Sequence, residues 1–109
     1  MAETIDYATD VRKYTSNIND AAVKGIVKHC GIALQSKDAS LVSASDPTEL
    51  ARVRDSFLKK KLGLTDPDAK LDESIKWAME KMKDDRTKSR VTVYYILAEK
   101  WGKLGIFTG

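Results

Sequence analysis

Apolar residues recur along this chain at helical rather than strand spacing. Tyr7, Val11, Tyr14 and Ile18 fall at i, i+4, i+7 and i+11, which places them on one side of a helix. Thr15, Ser16 and Asn17 then offer a break. A second helix over residues 18–30 gathers Ala22, Val23, Ile26, Val27 and Cys30 on one face and leaves Lys24 and Lys28 on the other. Gly31 supplies its left-handed stop. The serine-diluted stretch that follows reads as an irregular connection with one short helix over residues 38–43.

A longer helix begins at Asp46. Asp46 is placed to cap, Pro47 suits the first helical position, and Glu49 at the third position completes a capping-box arrangement. Its apolar side holds Leu50, Val53, Phe57, Leu58 and Leu62, and Gly63 ends it with Leu64 folding back over the last turn. Thr65, Asp66 and Pro67 repeat the Ser45, Asp46, Pro47 punctuation and open a further helix. That helix collects Leu71, Ile75, Ala78, Met79 and Met82 on one face.

The last segment, RVTVYYILAEKWGKLG, has a strand-like first half rich in Val, Thr and Tyr. On a helix, Val91, Tyr94, Tyr95, Ala98 and Trp101 form a broad face, extended by Val93, Leu97 and Leu104. Thr92, Glu99, Lys100 and Lys103 then cluster opposite. No second convincing strand exists to pair with it, and a lone strand would leave its backbone groups unsatisfied. The pattern therefore predicts an all-α fold. We expect one domain over residues 1–109, a compact bundle of about five or six helices with the long C-terminal helix near the centre.

Length and composition agree with one folded core. At 109 residues such a domain hides roughly two thirds of the surface its unfolded chain exposes. A hydrophobic fraction of 42% with 32% charged residues is that of a globular chain rather than a disordered one. No apolar run approaches the ~20 residues needed to cross a bilayer, and MAETIDYATD is acidic where a signal peptide would be basic and then apolar. These features lead us to expect a cytoplasmic protein without a membrane partner.

Candidate chemistry is sparse. His29 is the only histidine and Cys30 the only cysteine. Neighbours on a helix diverge by about 100°, so the two cannot readily act as a catalytic pair. One His and one Cys also fall short of a structural zinc set. In DPDAKLDES, Asp66, Asp68 and Asp72 are evenly spaced, but Lys70, Leu71 and Trp77 occupy positions where a calcium loop needs a ligand, glycine and glutamate. No glycine-rich phosphate cradle is present. The sequence thus predicts no catalytic, cofactor-binding or metal-binding residue, although a carboxylate pair brought together by folding would leave a small enzyme as one alternative.

Charge is informative only through its placement. The net charge is +3, from 19 Lys and Arg against 16 Asp and Glu. Residues 47–62 and 81–90 each carry five basic and two acidic side chains, so the remainder is net acidic. A salt-dependent binder of nucleic acid or other anions would use these stretches, with Arg52, Lys59, Lys60, Arg86, Lys88 and Arg90 as contacts. Interleaved aromatics and a clear recognition helix are lacking, so this reading is not favoured. KKK at residues 59–61 is not a stripe, because helical projection sends the three lysines in different directions.

Two residues stand against their surroundings. Arg54 projects near the middle of the apolar arc, where an unpaired buried charge would cost several kcal/mol. It is therefore expected in a buried ion pair that fixes helix packing. Trp77 projects almost opposite the apolar face of its helix, flanked by Lys70, Glu73 and Lys81. Tryptophan is enriched among interface anchors, so Trp77 with Lys70 and Lys81 is a candidate partner contact. The alternative is that another helix or the tail GIFTG covers it.

The segments ELARVRDSFLKKKLGL and KMKDDRTKSRVTVYYILAEKWGKL resemble a family of short bacterial proteins classed as a domain of unknown function. The resemblance spans most of the chain and implies a small bacterial all-helical domain. It transfers no site residues. The leading expectation is a non-enzymatic module that binds another protein or itself, with homodimerisation as its simplest form.

Overall fold

Four α-helices and two tighter or looser turns account for most of the residues that the computed structural model describes, which are 10–15, 18–31, 41–83 and 88–108. Helix α1 spans Asp20–Cys30 and begins where the Asn19 side chain accepts the Ala22 N–H at 3.2 Å. It buries Ala22, Val23, Ile26 and Cys30, as the spacing predicts. Gly31, at φ 44°, closes it and donates its N–H to Val27.

Helix α2 spans Pro47–Arg52 and runs without a break into a π-helical stretch, Val53–Lys61. Asp46 caps it by accepting the Thr48 N–H at 3.0 Å. The expected capping box does not close, because Glu49 turns inward and the Asp46 N–H donates to Ser43 instead. In the π stretch each ring encloses an extra residue, so side chains five apart share a face. Val53 with Leu58 and Phe57 with Leu62 are buried accordingly. Gly63 adopts φ 69°, and Leu64 donates its N–H back to Leu58 at 3.1 Å.

Helix α3 spans Asp68–Lys81 and starts one residue later than the punctuation suggests. Pro67 occupies the cap position, where its ring offers no acceptor, and Asp68 in the first turn is engaged with Lys59 and Arg54. Leu71, Ile75, Ala78, Met79 and Met82 are all buried.

Helix α4 spans Arg90–Lys100, and every residue from Arg90 to Ala98 is buried. Intrinsic preference separates helix from its alternatives by under about 0.7 kcal/mol per ordinary residue. Burying a large apolar side chain contributes about 1.5–3 kcal/mol. Packing therefore decides the strand-like segment in favour of a helix. It also captures Thr92, expected on the solvent side, whose hydroxyl donates to the Asp10 carboxylate. The Tyr95 phenol oxygen, one turn further along α4, accepts the Asn19 N–H at 2.8 Å and fixes the start of α1.

Helix α4 packs against α1 and α3, while a 3-10 turn, Leu104–Phe107, lies against α1. That approach is close: a Cβ on Gly25 would stand 2.2 Å from the Phe107 carbonyl oxygen, so only glycine fits there. The buried apolar residues form one cluster, including Val11, with Tyr14 and Ile18 packed on it.

The chain is thus all-helical, with no strand among the described residues. The described count is four α-helices rather than five or six. Much of the expected first helix, and residues 38–40 of the expected short helix, lie outside the described residues. Residues 41–43 are not helical: Leu41 forms an isolated antiparallel bridge with Ser89, and Val42 donates its N–H to Lys88 at 2.8 Å.

Candidate functional site

Arg54 does find carboxylates, but in a half-open setting. Its side chain retains 22% exposure and contacts Asp55 at 2.9 Å, Asp72 at 3.3 Å and Asp68 at 3.9 Å. Lys59 joins the cluster, 2.6 Å from Asp68 and 3.5 Å from Asp55. The π winding explains the departure from a buried pair. Arg54 and Lys59, five residues apart, share a face directed at the acids of the first turns of α3, whereas straight α-helical projection sends Arg54 into the apolar arc. Hydrogen bonding to Asp55 raises the Arg54 pKa, the same bond lowers that of Asp55, and Asp68 raises that of Lys59.

The deeply buried pair belongs to other residues. Arg90, assigned from sequence to an anion-contact surface, is 4% exposed. Its guanidinium donates to the Glu49 carboxylate, to the Tyr94 hydroxyl at 3.0 Å and to the Leu41 carbonyl at 3.3 Å. Arg52 holds the other Glu49 oxygen at 3.2 Å from the protein surface. With its donors turned inward at the first turn of α4, Arg90 does not present a charge to an outside anion. The pair ties α2 to α4.

The other cations of the two basic stretches do not form one positive face among the described residues. Lys60 stands exposed at the end of the π stretch. Lys61 lies 5.4 Å over the Phe107 ring. Lys88 is half-buried beside Val42, and Arg86 lies outside the described residues. Arg52 and Lys59 each sit within ion-pair distance of an acid.

Trp77 is 37% exposed, on the solvent side of α3 as its spacing predicts. The Lys100 ammonium lies 4.6 Å from its ring centroid and that of Lys81 5.6 Å, so the indole is clasped by cations at the surface. Beside it, a recess of about 400 Å³ is lined by Lys70, Glu73, Ser74, Trp77, Lys100 and Trp101. The Trp101 indole N–H donates to the Ser74 hydroxyl at 3.1 Å, and Ser74 in turn donates to the Leu71 carbonyl at 2.7 Å. Trp77 is therefore the free edge of a shelf whose second tryptophan is pinned. Sequence reasoning singled out Trp77, Lys70 and Lys81 but missed Trp101 and Lys100, which come from α4 and its end.

On the other flank of α3, a groove of about 650 Å³ separates it from α2. Ala44, Pro47, Leu50 and Ala51 form one wall, and Ile75 and Met79 the other. The rim carries Arg54, Lys76, Lys83 and Lys88 with Asp72 and Glu80. No local signal marks this groove: Glu49, expected at the cap, turns inward to Arg90 while Leu50 and Ala51 line the groove.

His29 and Cys30 do not form a reactive pair. His29 packs beside Phe57, Tyr94 and Phe107, with ring centroids 5.9, 6.2 and 6.2 Å away. Burial and then Lys61 lower its pKa. Cys30 is buried, and burial pushes its thiol up to about 11, which disfavours the nucleophilic thiolate. Among the described residues, no three His, Cys, Asp or Glu side chains converge to hold a metal ion. No helix is long and apolar enough to cross a membrane among them either.

No curated protein matches the chain. A family model described as "Protein of unknown function (DUF2853)" matches residues 6–105, which takes in every described helix and both walls of the groove. The chain belongs to that family.

Proposed function

We propose that the protein is a non-enzymatic protein–protein interaction module, and that Trp77 with Lys70 and Lys81 contacts its partner. One observation carries this reading: a tryptophan 37% exposed stands at the edge of a recess floored by a second, pinned tryptophan. A large rigid side chain presented in this way loses little conformational entropy on binding. A second copy of the chain is the simplest partner, and a cytoplasmic bacterial setting is part of the same proposal.

The alternative, a nucleic-acid or anion binder, draws less support. Its Arg90 is buried on Glu49, and its Arg52 and Lys59 lie against acids. An enzyme working through a carboxylate pair gains little either, because Asp55, Asp68 and Asp72 are matched by Arg54 and Lys59.

The test is Trp77→Ala, read by sedimentation mass across concentration and by urea unfolding. A surface anchor predicts weakened self-association and a stability change below about 1 kcal/mol. A loss of about 3–5 kcal/mol, as for a core tryptophan, with unchanged mass would sink the proposal.

A further inference from the structure

We infer that the Trp77 face meets the same face of a second copy, the two α3 helices lying antiparallel about a two-fold axis at Trp77, so that Glu73 of each copy pairs with Lys81 of the other. This rests on the reading of Trp77 as a partner contact and adds to it the partner and the register.

Glu73, Trp77 and Lys81 follow one another at intervals of four along α3, and all three are exposed. Residues four apart form one of the ridges through which helices pack. An acid stands one step before the tryptophan and a base one step after it. When two copies of that ridge lie antiparallel about residue 77, position 73 of one comes opposite position 81 of the other, and a two-fold axis repeats the pair. Opposite charges therefore meet twice. In a parallel pairing acid would meet acid and base would meet base, which selects against it.

Both pairing groups are available. Among the described residues Glu73 has no ion-pair partner, and no carboxylate pairs with Lys81, whose ammonium stands 5.6 Å from the Trp77 ring centroid. By contrast Asp68 and Asp72 are matched within the molecule by Lys59 and Arg54. The row through Trp77 keeps its charges for the outside.

The recess supplies the apolar part of the contact. Trp77 is itself one of its lining residues, beside Ser74 and Trp101, so anchor and recess abut on one patch. An isologous interface requires this, because the surface offered is also the surface received. Trp101 is pinned through Ser74, so the floor that meets the incoming indole is already ordered. Lys70 and Lys100 line the recess rather than the row and keep their ammoniums in water. A helix of 14 residues is about 21 Å long. One such pair buries an area at the low end of specific interfaces, so a Kd of micromolar order is expected.

The experiment is sedimentation equilibrium of the full chain from micromolar to millimolar concentration. The native chain should dimerise. Glu73→Lys alone and Lys81→Glu alone should each weaken the dimer about tenfold or more, because each sets like charges together twice. The double variant Glu73→Lys with Lys81→Glu should recover association, and so should an equimolar mixture of the two single variants, in which both cross pairs are again of opposite sign. Circular dichroism confirms that these exposed substitutions retain the fold.

A native chain that stays monomeric, single reversals without effect, or a double variant or mixture as weak as the singles would each overturn the inference. Trp77→Ala, run beside them, separates it from the reading it rests on. Association lost in Trp77→Ala but indifferent to the reversals overturns the register and leaves Trp77 as a contact. Association indifferent to Trp77→Ala overturns both.

Discussion

Two arginines tie α2 to its neighbours, and they do so under opposite conditions. Arg90 reaches Glu49 where the two side chains retain 5% and 11% exposure. Arg54 meets Asp55, Asp68 and Asp72 at the surface, where each acid is more than half exposed. The dry pair is costly to break because it strands a charge without water. The wet cluster can exchange its partners for solvent, and its members gain little from staying together. The difference teaches that the buried pair sets the rotation of α2, and with it which residues line the groove, whereas the open cluster fastens an orientation already chosen.

The sharpest way to break this contrast is at Glu49. Glu49→Gln is expected to cost roughly 3–5 kcal/mol in urea unfolding, since Arg90 keeps its charge without a carboxylate. Replacing both partners, Glu49→Leu with Arg90→Met, should recover most of that loss. Equal costs for the single and double variants would show that the carboxylate is not what offsets the buried guanidinium.

Cys30 gauges how dry the same region is, because its thiol is raised by burial even though Arg90 acts to lower it. Its pKa is raised to about 11, so the unfolded chain ionises first as pH rises. Cys30 therefore stabilises the fold below the ordinary thiol range and ceases to do so as pH climbs through about 11. Thermal unfolding followed from pH 8 upward should show a steeper alkaline loss in the native protein than in Cys30→Ala. A parallel loss in both would mean that the thiol is not held protonated.

The smallest effect is expected at Arg54. Arg54→Gln should destabilise less than Glu49→Gln, and the loss should fade in about 1 M salt, where the screening length shrinks to about 3 Å. A loss that salt leaves intact would place Arg54 in the dry class.

Much of the fold was legible because helical periodicity survives in the apolar positions. The stripe of α3 matches burial residue by residue, from Leu71 to Met82, and that of α1 does so except at Val27, which is only partly buried. Helix α4 was legible as a helix but not in its depth: Thr92 and Arg90 are drawn in by Asp10 and Glu49, partners remote in sequence. The π stretch was not legible. Its i, i+5 pair Arg54 with Lys59 is assigned to different faces by a straight α-helical projection.

The candidate site divides in the same way. Trp77 was visible because one residue broke the pattern of its own helix. The groove was not, because Glu49 satisfies two rules at once. At the third helical position it completes a capping box on paper, and in the structure it leaves the cap for Arg90. Nothing local distinguishes those outcomes, since the competing partner lies 41 residues away.

The most direct test of the account is a pair of double-mutant cycles read by urea unfolding, one on Glu49 with Arg90 and one on Arg54 with Asp72. The account predicts a coupling of about 3 kcal/mol for the first that persists in about 1 M salt, and one below about 1 kcal/mol for the second that fades there. Couplings of equal size that salt weakens alike would contradict it.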